Sequence, residues 1–181
     1  QLLKKVEDGA VLYICADEGL IRNIPEMTGV DIEYREKVNE VKTLKMNGKE
    51  LPIYTSYSYK PENYTAEVLA TDEEGTPVFF KNSYGKGYIY FITLPLETYL
   101  TKEKGVFHGD DALDYSCIYR ELAAAAKIKR VCDSDNKFVR LTEHKIDDNS
   151  LYVVAINYNN KTEVANLYIE KGYSVSVVYG D

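Results

Sequence analysis

The chain has 181 residues, 45% of them hydrophobic and 28% charged, which is the composition of a globular protein of one domain or two small ones. Its formal charge of -7 supplies no basic field for a nucleic-acid backbone or an anionic membrane surface, so neither is expected as a partner. No apolar run approaches the ~20 residues that cross a bilayer, and the start at Gln1 has no signal-peptide pattern, although a chain opening on Gln can be a cut piece that has lost a leader.

Residues 2–8 read as the end of a helix stopped by Gly9, and residues 10–15 form a continuous apolar run of the kind buried on both faces of a parallel sheet. Helix, glycine, strand is the opening of an α/β unit. After the loop at residues 16–19, residues 20–27 allow a short helix only if Pro25 lies in its first turn. Residues 30–59 are β-like, with alternation at Val30, Ile32 and Tyr34, an Asn47-Gly48 turn, and a tyrosine-rich run at residues 53–59. Residues 66–97 then read as a β-meander, in which Gly75 and the Gly85/Gly87 pair are expected to supply positive-φ turn positions and Pro77 to start a strand.

A helix follows, with Asp110 or Asp111 as N-cap and Tyr115, Ile118, Leu122 and Ala125 on one apolar stripe. Lys127, Lys129 and Arg130 complement its dipole. Beyond it the pattern is strand only: residues 138–146, 151–158, 162–169 and 173–179. The expected domains are therefore an α/β unit at residues 1–128, incomplete at its N-terminus, and a small antiparallel, sandwich-like all-β module at residues 129–181. Four strands are few for a closed sandwich, which leaves an edge or an apolar face uncovered.

Chemistry is thinly written. His108, Asp110, Asp111 and Asp114 are the nearest approach to a metal-ligand cluster, but their spacing matches no ligand motif and two of the acids already have a capping task. His144, within a strand, faces the same objection. No metal and no cofactor are therefore expected. Cys15 ends a strand as a nucleophile might, without the glycine pattern of a nucleophile elbow, and reads as a core thiol. Cys117 and Cys132 are likewise expected to be reduced and structural, and the odd cysteine count favours a reducing compartment such as the cytoplasm. Lys86, between two glycines, lacks the phosphate-loop pattern and a following helix. Glu97 is the best-placed isolated acid and reads as a loop residue, so no catalytic residue is assigned.

Seventeen tyrosines and no tryptophan are the compositional oddity. Tyr54, Tyr57, Tyr59 and Tyr64 could present flat rings to sugar faces, since a phenol joins an apolar face to a polar edge; half-buried strands also use tyrosine routinely.

The wording at residues 66–70 (A-E-V-L-A), 75–78 (G-T-P-V) and 82–90 (N-S-Y-G-K-G-Y-I-Y) resembles a stretch of the trimerisation domain of family 42 β-galactosidases and related glycoside hydrolases. Met27-Thr28-Gly29-Val30 is similar to the segment that precedes it there, and a strand ending in Asn157 is similar to one in the C-terminal β domain that follows. The resemblance implies a flavodoxin-like, class I glutamine amidotransferase-like fold without its catalytic residues. It also implies a catalytic barrel elsewhere in the same polypeptide and a homo-oligomer. On it rests the leading expectation, a non-catalytic accessory and oligomerisation region of a glycoside hydrolase. An independent carbohydrate-binding module using the surface tyrosines ranks second, and an enzyme built on His108 with Asp110 or Asp111 third.

Overall fold

In the computed structural model, which describes residues 1–17, 24–106 and 112–179, helix α1 (Leu2–Glu7) ends at Gly9 and strand β1 (Val11–Cys15) follows. The chain divides into two units, Gln1–Val106 with Leu113–Lys127, and Phe107–Ala112 with Ile128–Asp181. The molecule is mostly strand, with short helices.

The first unit is built on a mixed six-stranded sheet in the order β1-β6-β5-β4-β2-β3. Strands β4 (Glu67–Thr71), β5 (Pro77–Tyr84) and β6 (Gly87–Ile92) are the expected antiparallel meander, and β1 pairs parallel to β6 with Val11 opposite Tyr88. β1 is parallel but not buried on both faces. It is half-buried along its whole length because it is an outermost strand with one neighbour.

On the other side, β2 (Val30–Met46) and β3 (Lys49–Tyr64) form one long hairpin. Its turn is Asn47-Gly48 with φ of +51° and +74°, the left-handed pair that lets a two-residue turn follow the right-handed strand twist. Between Lys37 and Glu40 the register shifts by an extra residue in β2, a bulge that bends and twists the hairpin.

Alternation along β5 and β6 sends side chains to two apolar clusters. Phe79, Tyr90 and Ile92 join Leu44, Ile53 and Ile118 in one, while Phe80 and Phe91 join Ala16, Val30 and Ala66 in the other. Both sheet faces carry a core, and so these strands read as continuous apolar runs. The first cluster is roofed by Leu96 and Leu100 of α3 (Leu96–Lys102) and by Ile118 of α4 (Ser116–Ala125). Against the other face, the Asn82 amide of β5 donates to the Met27 carbonyl of α2 (Ile24–Thr28) at 2.7 Å. Pro25 does lie in the first turn of α2; residues 18–23 lie outside the described residues.

Two helix expectations change. α3 was not expected at all, and it turns Glu97 from a loop acid into a first-turn acid. α4 begins at Ser116, later than a cap at Asp110 or Asp111 would place it, and those two acids lie outside the described residues. The stripe itself is as expected, with Tyr115 and Ile118 buried and Leu122 and Ala125 packed against the core.

The glycines of the meander have different tasks. Gly75 has φ +84° in a turn closed by Asp72, whose carboxylate accepts from the amides of Glu74 and Thr76 at 3.0 and 2.8 Å. Gly85 also has positive φ, at +60°. Gly87 does not, contrary to expectation: it is required by close approach, since a Cβ there would lie 2.0 Å from the Ala10 carbonyl oxygen and 2.5 Å from that of Val6. The end of α1 sits directly on this hairpin, and the Lys86 amide donates to the Glu7 carbonyl at 2.9 Å.

The second unit holds two antiparallel pairs, β8 (Val139–Lys145) with β9 (Leu151–Asn157) and β7 (Cys132–Ser134) with β10 (Leu167–Ile169). Asn157 orders the turn after β9: its amide donates to the Lys161 carbonyl at 2.7 Å, and its side-chain oxygen accepts from the Asn159 amide at 2.8 Å. Of the strand expected at residues 162–169 only β10 forms, and residues 173–179 form none despite the alternation of Tyr173, Val175 and Val177. A strand exists only against a ladder partner, and among the described residues none pairs with them. Tyr152, Val154 and Ile156 of β9, with Val175, Val177 and Val178, stay exposed.

Candidate functional site

Strand β3, helix α3 and the end of β1 meet around a cleft of about 130 Å³ in the first unit. Tyr54, Tyr57 and Tyr59 line it from β3, Tyr99 and Thr98 from α3, and Asp17 from just beyond β1. Tyr54 and Tyr57 are three residues apart and would face opposite sides of a regular strand. The bulge opposite them in β2 twists the hairpin at that point, and both border the same space.

Each ring is held by a contact of its own. The Tyr59 phenol donates to the Asp17 carbonyl at 2.8 Å, and the Tyr54 phenol donates to the side-chain oxygen of Asn39, a residue of the bulge. The Arg35 guanidinium lies 3.6 Å from the centre of the Tyr57 ring and 5.5 Å from that of Tyr59. Tyr99 packs on Tyr115 with ring centres 5.9 Å apart, and the Tyr115 phenol donates to the Pro52 carbonyl at 2.6 Å. Burial pushes the Tyr59 phenol above its usual range despite the Arg35 charge, so the ring stays neutral and able to donate.

Of the four tyrosines singled out from the sequence, the structure brings Tyr54, Tyr57 and Tyr59 together and leaves Tyr64 elsewhere, 5.6 Å from the Phe80 ring. Tyr99, Thr98 and Lys102 were missed with α3. Their signal was present: Pro95 precedes Leu96, Tyr99 and Leu100, which fall at helical spacing.

Among the described residues, the other candidates are engaged in local contacts. The Cys15 thiol donates to the Leu94 carbonyl at 3.3 Å, and burial raises its pKa, which opposes thiolate formation. Glu97 accepts from the Tyr119 phenol at 2.8 Å. Cys15, Cys117 and Cys132 are all free thiols. Burial is the first cause raising the pKa of Cys117 and Cys132 as well.

Asp114 is engaged by Lys49, Ser116 and Arg120, the last at 2.5 Å. Its burial opposes ionisation, but these three donors outweigh it and hold the carboxyl well below the usual range. The His144 ring nitrogen Nε2 lies 3.0 Å from the Thr142 hydroxyl on exposed β8, and His108 lies outside the described residues. Among the described residues no three His, Cys, Asp or Glu side chains converge as metal ligands, and no helix is long and apolar enough to cross a membrane.

No protein-family model matches the sequence, and no curated protein matches it. Solved structures do match in fold. A GH42 β-galactosidase from G. stearothermophilus has a TM-score of 0.61 at 18% identity, over 88% of this chain and 24% of its own. The cold-adapted β-galactosidase of Rahnella sp. R3 has 0.62 at 16% identity over 87% and 25%, and that of Bacillus circulans sp. alkalophilus has 0.60 at 16% identity over 87% and 24%. This chain therefore shares its fold with about a quarter of the length of these β-galactosidases, and the likeness is one of architecture.

Proposed function

We propose that this chain is a non-catalytic accessory region of a glycoside hydrolase, an amidotransferase-like α/β piece followed by a β-sandwich-like piece, that packs against a catalytic domain of the same polypeptide and mediates homo-oligomerisation. The observation that carries the reading is the fold match itself: most of this chain aligns with only about a quarter of several β-galactosidases. The second unit adds a physical reason for association. Tyr152, Val154 and Ile156 lie on an exposed two-stranded hairpin, and such a hairpin is marginal in water unless something covers it.

Light scattering of the purified chain tests the reading together with hydrolysis assays on nitrophenyl galactosides and mannosides. The expected result is self-association without turnover. A strict monomer, or turnover by the chain alone, overturns it.

A further inference from the structure

We propose that the tyrosine cleft between β3, α3 and the end of β1 is a binding subsite for a single neutral pyranose ring. The inference is independent of the accessory role, and either can fail alone. A pyranose presents apolar C–H faces and a perimeter of hydroxyls, so its site needs aromatic faces beside hydrogen-bonding edges. The cleft supplies the rings of Tyr54, Tyr57, Tyr59 and Tyr99, and beside them the hydroxyls of Ser56 and Thr98. Its volume of about 130 Å³ suits one ring; sites that enclose larger ligands run to ~300–1,000 Å³.

Two features favour a sugar over other guests of aromatic pockets. The rings are already anchored, Tyr59 on the Asp17 carbonyl, Tyr54 on Asn39 and Tyr99 on Tyr115, so binding costs little side-chain freedom. Charge selects no ion. Asp17 and Glu103 in the wall are offset by Lys102 and by the Arg35 guanidinium against Tyr57 and Tyr59, so the cleft has no net charge to attract a cation or an anion and suits a neutral guest.

The test is a titration of the full chain, followed in amide correlation spectra, with D-galactose, D-mannose and D-glucose separately. Glycerol is the polyol control and choline the cationic control. Saturable shifts confined to residues 54–59 and 98–103 are expected with at least one hexose.

Tyr54→Ala is expected to weaken binding about tenfold or more, and Tyr64→Ala to leave it unchanged. Tyr54 is 45% exposed, so its truncation leaves the fold intact, whereas Tyr99→Ala risks the core. The proposal is overturned by an absence of saturable shifts with every hexose, by the same shifts with glycerol, by tighter binding of choline, or by equal effects of the Tyr54 and Tyr64 variants. A negative titration on a self-associating chain removes the subsite and leaves the accessory reading standing; hexose binding by a strict monomer does the reverse.

Discussion

The phenol of Tyr59 on β3 donates to the main-chain carbonyl of Asp17 at 2.8 Å, although β3 and the β1 strand that leads to Asp17 are the two outermost strands of the sheet. The hydrogen bond ties β3 to the segment just beyond β1, and both border the cleft.

Tyr59→Phe removes this hydrogen bond without removing the ring. Urea denaturation is expected to show a loss of about 1 kcal/mol, with no change in the slope. An unchanged midpoint would mean that water replaces the phenol without cost.

Gly87→Ala places a methyl group 2.0 Å from the Ala10 carbonyl, a main-chain atom that no rotamer can move aside. A loss of more than about 3 kcal/mol is expected. Gly75→Ala meets nothing within 4 Å and has only its φ of +84° to contend with, so a loss of about 1 kcal/mol is expected. Equal melting temperatures for the two variants would refute the close-approach account.

Asp114 links the β2–β3 turn to α4 through Lys49, Ser116 and Arg120. Its carboxyl titrates lower in the folded chain than in the unfolded one. The unfolded state therefore binds the proton first. The contribution to stability is present above the ordinary carboxylate value of about 3.9 and is lost as pH falls through the lower folded value. Because the site is partly exposed, solvent screening limits the effect: Asp114→Asn is expected to cost about 0.5–1 kcal/mol at neutral pH. The difference between variant and parent should shrink on acidification, as read by denaturation at a series of pH values.

The three thiols are expected to react slowly with an aromatic disulfide reagent in the native chain and rapidly in urea. Their raised pKa values reduce the thiolate fraction and burial blocks access. The native rate should climb only towards alkaline pH. Fast stoichiometric labelling of Cys15 at neutral pH would restore it as a reactive group.

Val154→Lys on β9 is expected to shift a self-associated chain towards monomer, because it places a charge on the exposed apolar hairpin. Circular dichroism melting of the first unit should be unaffected. Unchanged sedimentation would show that this hairpin is not the contact.

Local chemistry was readable from the residues. Asn47-Gly48 can turn a hairpin wherever it stands, the spacing of Tyr115, Ile118, Leu122 and Ala125 defines a helix face, and apolar runs closed by glycine turns mark the meander. What sequence could not decide were relations that depend on distant partners. Residues 173–179 alternate as well as any strand but find no ladder among the described residues. Gly87 looked like a turn glycine and proved to be a contact glycine, because Ala10 and Val6 come from another element.

The tyrosines show the same division. Their number and their place on β3 belong to the sequence by itself, because strand and turn propensities act over a few residues. That Tyr54, Tyr57 and Tyr59 meet Tyr99 while Tyr64 goes to Phe80 was decided only by the tertiary structure. The bulge in β2 accompanies the twist of the hairpin, and the fold of the first unit brings Asp17 to Tyr59, a pairing forty-two residues apart in the chain that no local periodicity encodes.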